Sequence, residues 1–191
     1  MKLLKHSFKA RVFWLLASFV ALLISSPMPS HARDLSSDYE QAQLLTAVAP
    51  MLNRKDVAIQ PFFDAVATIK SDYERSRVLK RVLKLESPSS ALFVLVASST
   101  KTFSSDYERR GVLSALAKTK VQSGEVLRLL LDSATEMSSD YEKAMLLVEV
   151  ANVYTGDARL KSEFLKAVEA IKSDYERGRV LAALLRNGQL G

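Results

Sequence analysis

The residues of this sequence best equipped for chemistry sit in one tetrapeptide, Ser-Asp-Tyr-Glu, found at 37–40, 71–74, 105–108, 139–142 and 173–176. Each copy brings two carboxylates and a phenol. These groups could serve general acid–base catalysis, glycoside hydrolysis by paired acids, or an oxygen-ligand site for calcium. Little other chemistry is on offer, because no histidine, cysteine or tryptophan occurs from Arg33 onward. That excludes Ser–His and Cys–His nucleophiles, thiolate or imidazole metal sites and the usual haem ligation. It also excludes disulfides, so packing alone must hold the fold. A paired-acid hydrolase needs two carboxylates facing across a cleft, and a calcium loop spaces its ligands differently. Neither a metal nor a cofactor is implied.

Spacing gives the tetrapeptide a different first role. Successive copies lie 34 residues apart every time, with no insertion, which is the mark of a repeat architecture. Within each copy, Ser reads as a helix N-cap and Glu, three residues on, as the partner that reaches back to the Ser N–H, a capping box. Asp at the first helical position places a negative charge at the positive end of the helix dipole.

The elements that must carry the motif follow from periodicity. After each cap, apolar residues recur at helical spacing: Leu44, Leu45 and Val48, then Val78, Leu79 and Val82, then Val112, Leu113 and Leu116. Leu146, Leu147 and Val150, and Val180, Leu181 and Leu184, continue the series. Each set defines one buried face of a first helix, A. A second periodic stretch follows, with Phe62, Phe63, Val66 and Ile69, then Phe93, Val96, Ala97 and Phe103, then Leu127, Leu130, Leu131 and Ala134, then Leu160, Phe164, Leu165 and Val168. This is helix B, joined to A through segments that contain Pro88, Gly124 and Gly156. Pro50 and Pro61 predict a shortened helix A and a late or kinked helix B in the first unit. The expected fold is all-α, an α-α superhelix or solenoid of four 34-residue helical hairpins plus a terminal helix near 174–186.

Residues 1–32 read as a signal peptide, with Lys2, Lys5, Lys9 and Arg11 ahead of an apolar run from Val12 to Ile24 and small residues at Ser30 and Ala32. That run is too short to span a bilayer, so no membrane span is expected after cleavage, and residues 33–191 form the helical repeat domain. Removing the signal leaves 23 basic against 21 acidic residues, so net charge does not imply a nucleic-acid partner. The expected location is periplasmic or secreted, in a bacterial envelope.

The period equals that of the tetratricopeptide repeat, whose Trp-Leu-Gly-Tyr and Ala-Phe-Pro pattern is not present. The Ser-Asp-Tyr-Glu units more closely resemble helical repeats, often labelled HEAT-like, of bacterial exported and membrane-associated proteins. The resemblance covers residues 33–191 and implies an α-α superhelix with a scaffold role. It carries over no catalytic residue.

Two rows follow from the repeat. The tyrosines Tyr39, Tyr73, Tyr107, Tyr141 and Tyr175 would line one edge, either as an aromatic binding track or, in the favoured reading, packed near Leu35, Ile69, Phe103, Met137 and Ile171. The next position, Gln41, Arg75, Arg109, Lys143 and Arg177, is basic in four of five units. Its bland reading is pairing with Asp72, Asp106, Asp140 and Asp174 three residues before. Its functional reading makes Arg75, Arg109, Lys143 and Arg177 an exposed stripe that holds an acidic segment of a protein partner. The expected function is thus a non-enzymatic scaffold for protein–protein interaction. A self-assembling structural solenoid, or less so a carboxylate-based envelope hydrolase, is the alternative.

Overall fold

The computed structural model describes residues 36–53, 59–86, 88–119, 123–154 and 158–188. The expected signal peptide lies outside them. Residues from Asp38 onward form one compact unit, and the described residues are all-α, as expected, with no strand. The helices are α1 (Ser36–Val48), α2 (Gln60–Thr68), α3 (Asp72–Val82), α4 (Ser90–Ser99), α5 (Asp106–Ala117), α6 (Gly124–Glu136), α7 (Asp140–Val153), α8 (Ala158–Glu169) and α9 (Asp174–Arg186). Short 3-10 turns at Ala49–Asn53 and Thr100–Thr102 extend α1 and α4.

The motif serine starts four of the five motif helices, as the sequence predicts. Ser71, Ser105, Ser139 and Ser173 have extended backbone, and each hydroxyl oxygen accepts from the N–H of the motif Glu at 3.3–3.4 Å. Ser89 and Ser123 cap α4 and α6 in the same way, a pair of signals that sequence reading passed over. Gly124 is accordingly the first residue of α6 rather than part of a join, whereas Pro88 does precede the Ser89 cap. Gly156 lies outside the described residues.

The first unit departs from expectation, for its first helix begins at Ser36 and so includes Ser37, the expected cap. Pro50 falls in the 3-10 turn after α1, which at 13 residues is longer than the 11-residue α3. The shortening is instead in α2, where Pro61 sits in the first turn of a nine-residue helix. A missing N–H costs nothing there, since the first helical donors have no intrahelical partner.

Packing sorts the helices into two rows. Helices α3, α5, α7 and α9 contact one another in succession, and so do α2, α4, α6 and α8. The apolar face of each first helix is the reason: Leu79, Leu113 and Leu147 occupy one register position and are fully buried, as are Val82, Leu116 and Val150. Phe93, Leu130, Leu131 and Phe164 fill the space between the rows, and Tyr154 packs on Phe164 with ring centroids 5.4 Å apart. Truncating one such leucine to alanine costs about 2–5 kcal/mol. The residues two places before each cap, Ile69, Phe103, Met137 and Ile171, are buried as well, so the turn that leads into each motif is pinned from below. No described helix is long and apolar enough to cross a membrane.

Replacing Ser71, Ser105 or Ser139 with Ala removes one cap hydrogen bond and leaves the backbone in place. Each change is expected to cost about 1 kcal/mol, and the three to add nearly fully because the caps share no partner. Urea melts in which the triple variant matches the parent would show that the hydroxyls do not cap.

Candidate functional site

Taken residue by residue, the tetrapeptide divides its work in a way the sequence did not reveal. The motif Asp reaches forward to the next copy. Asp38 accepts from the N–H groups of Lys70 and Ser71 at 3.2 and 2.9 Å. Asp72 accepts from the Ser104 and Ser105 N–H groups and the Ser104 hydroxyl, each at 2.8 Å. Asp106 holds the Ser138 and Ser139 N–H groups at 2.7 and 2.8 Å, and Asp140 those of Lys172 and Ser173 at 3.0 and 2.8 Å. One carboxylate thus grips two successive amides of the turn that opens the following helix.

This corrects the capping box. The N–H of each motif Ser from Ser71 onward goes to the preceding Asp, not to its own Glu. The Glu side chains pair with cations instead: Glu74 with Arg77 at 2.7 Å, Glu108 with Lys80 at 3.8 Å, Glu142 with Arg110, and Glu176 with Arg179 at 2.6 Å. Two of these, Lys80–Glu108 and Arg110–Glu142, cross between neighbouring motif helices. A Cβ at Gly111 would lie 2.9 Å from the Lys80 Nζ, the movable end of that side chain.

The clamp shows in the acidity of the carboxyls. Burial pushes the Asp72 carboxyl up, but the Ser105 N–H, the Ser104 hydroxyl and the Arg75 guanidinium outweigh it and hold the group below the ordinary carboxylate value. At Asp140 the Ser173 N–H is the largest influence. With the Lys172 N–H and the Lys143 ammonium, it overcomes burial and lowers the value again.

The basic row is not the exposed stripe expected of Arg75, Arg109, Lys143 and Arg177. The first three are buried, with 7, 5 and 5 % of their surface exposed, because each long side chain lies across its own unit toward the end of the second helix. Arg75 donates to the Thr102 hydroxyl at 2.8 Å and the Thr102 carbonyl at 3.3 Å, while its guanidinium covers the Phe103 ring at 4.5 Å. Arg109 meets Glu136 at 2.5 Å, and the Lys143 ammonium donates to the Ala170 carbonyl at 2.7 Å. Gln41 performs the same task without charge, donating to the Ala65 carbonyl and the Thr68 hydroxyl. A cation here is favourable because the last carbonyls of a helix form the negative end of its dipole. Only Arg177, whose side chain is 39 % exposed, keeps substantial access to solvent. The intrahelical pairing with Asp occurs at Arg75, Lys143 and Arg177.

The tyrosine row reverses in the opposite sense. The sequence favours packing against the buried residues before each cap, yet Tyr39, Tyr73, Tyr107, Tyr141 and Tyr175 are 50–74 % exposed and, with Leu185, are the large apolar residues so placed among the described residues. The physical reason is competition for one site. Ile69, Phe103, Met137 and Ile171 already fill the turn, and the Tyr rings are left in solvent. Four of the rings lie beside guanidinium groups. Arg77 lies 5.7 Å from the Tyr39 centroid and 6.0 Å from that of Tyr73, Arg110 lies 5.3 Å from Tyr107, and Arg179 lies 6.0 Å from Tyr141. Sequence reading could have found these arginines only by knowing which way the tyrosines face. The resulting surface can stack on flat or ring-shaped groups and donate hydrogen bonds. Each motif Glu from Glu74 onward is matched by a cation.

Removing the clamp at Asp106 by Ala is expected to cost about 1.5–3 kcal/mol. The same change at Asp174, whose side chain is 88 % exposed beside Arg177, is expected to cost no more than about 1 kcal/mol. The lowered carboxyls fix the pH dependence: their stabilisation is complete above the ordinary carboxylate range and disappears as the pH falls through the folded-state values. An Asp72→Asn, Asp140→Asn variant should therefore differ most from the parent at neutral pH and converge with it in urea melts as the pH falls through the lowered folded-state values. A gap that stays constant as the medium is acidified would sink the charged clamp. For the basic row, Arg109→Glu puts a carboxylate into a buried site facing Glu136 and is expected to destabilise by about 3 kcal/mol or more. An unchanged thermal midpoint would restore the exposed-stripe reading.

Comparison with protein-family models, with curated proteins and with solved structures finds no match to this chain.

Proposed function

We propose that this chain is a helical-repeat scaffold, a solenoid of four 34-residue hairpins and a terminal helix, that works by holding a partner protein on its tyrosine row. The observation that carries the reading is the exposure of all five motif tyrosines, 50–74 % each. Exposed aromatic side chains at one repeating position, interleaved with arginine, have the composition of interaction hot spots. A solenoid multiplies such a position along its length. The carboxylates and buried cations of the motif are engaged in holding helices together, which supports a binding role over an enzymatic one. The basic residues before the apolar run in 1–32 support export to a bacterial periplasm or beyond.

A second reading has its own support at the last helix. Leu185 of α9 is 64 % exposed, and its register equivalents Ala117 and Ala151 are buried against the next motif helix. Such a face would suit end-to-end association of copies.

One experiment separates these readings. The full chain and a Tyr73→Ala, Tyr107→Ala, Tyr141→Ala variant are used as baits in a bacterial envelope extract, after circular dichroism has shown equal helicity. The scaffold reading expects a reproducible protein partner that the variant loses. Equal recovery by both baits would move the site off the tyrosine row. Recruitment of further copies of the chain alone, stopped by Leu185→Lys, would replace the scaffold with the assembly.

A further inference from the structure

Resting on that reading, the geometry points to a particular kind of partner: we propose that the tyrosine row takes an uncharged, proline-rich segment in the polyproline II conformation, running across the motif helices.

The argument begins with period. The tyrosines recur once per motif helix, and packed helices lie about 8–10 Å apart. Arg77 sits against both Tyr39 and Tyr73, so their centroids are separated by no more than the sum of its two distances, about 11.7 Å. A polyproline II helix rises about 3.1 Å per residue with three residues per turn, or about 9.3 Å per turn. Ligand and row therefore stay in step, one ring per turn, with every third ligand residue meeting a tyrosine.

Chemistry agrees with period. A polyproline II segment has no internal hydrogen bonds, so its carbonyls face outward and accept. The row offers phenol O–H groups and guanidinium N–H groups as donors. The exposed ring faces suit pyrrolidine rings, as in other aromatic grooves that read proline-rich chains. Charge agrees as well. Arg77, Lys80, Arg110 and Arg179 are each matched by a motif Glu, so the row is close to neutral and favours a neutral occupant over the acidic segment expected from sequence. Five rings span four intervals, a length of roughly 13 ligand residues.

The test uses the full chain and three labelled probes: a 13-residue peptide with proline at every third position, a glycine/serine peptide of the same length, and a linear β-glucan oligosaccharide. Fluorescence anisotropy should show saturable binding of the proline peptide below about 1 mM. Binding should weaken about tenfold or more for the triple tyrosine variant, and should change little between low and moderate salt. A seven-residue version, which reaches fewer rings, should bind several-fold more weakly. Failure of the proline peptide to bind, equal binding of the glycine/serine peptide, or binding of the oligosaccharide alone would each overturn the proposal. Loss of the captured envelope partner in the tyrosine variant would still stand in that event, so failure here is distinguishable from failure of the scaffold reading.

Discussion

The structure depends on a carboxylate that acts beyond its own helix. Asp38, Asp72, Asp106 and Asp140 each accept from two consecutive amides 32 and 33 residues further along the chain. The amides belong to the turn that opens the next motif helix, where the first N–H groups have no intrahelical partner. A charged acceptor satisfies them better than water does and fixes the entry point of the next helix. The same residue thus begins one helix and positions the following one.

The cations behind the clamp complete it. Arg75 donates to Thr102 while Asp72, with which it is paired, holds Ser104 and Ser105. Both sides of one short connection are gripped from a single turn of α3, and Phe103 between them is buried under the Arg75 guanidinium. Lys143 and Asp140 do the same for the turn around Ile171. Burying a cation is costly unless it is well bonded, and here the bonds are to carbonyls and carboxylates at a helix end. Such contacts are directional, which hydrophobic packing alone is not.

The division of labour within Ser-Asp-Tyr-Glu follows. Ser caps, Asp clamps, and Glu joins the motif helices through Lys80 and Arg110 or braces its own helix through Arg77 and Arg179. Tyr adds only the stacking of Arg77 on Tyr39 and of Arg179 on Tyr141 between neighbouring motif helices. It stays in solvent while its neighbours are consumed, which is why the proposed binding role falls on it.

The sequence by itself determined the helices. The 34-residue interval, the serine caps and the apolar spacing located the motif helices, and most residues assigned to buried faces, such as Leu79, Leu113, Leu147 and Phe164, are buried, while Leu44, Val48, Leu165 and Leu181 are half-buried. These features are local: a cap and an amphipathic face depend on residues within a few positions of each other. What lay 27 to 33 residues away was decided only by the tertiary structure. Arg109 and Tyr107 are two positions apart on one helix, and nothing in their spacing says that the charged one is buried and the aromatic one exposed. That outcome was set by what each meets: a helix end and Glu136 for Arg109, and a turn already filled by Phe103 for Tyr107. Polarity predicts burial when a side chain's neighbours are unknown; once partners are within reach, hydrogen-bond satisfaction and free volume decide it.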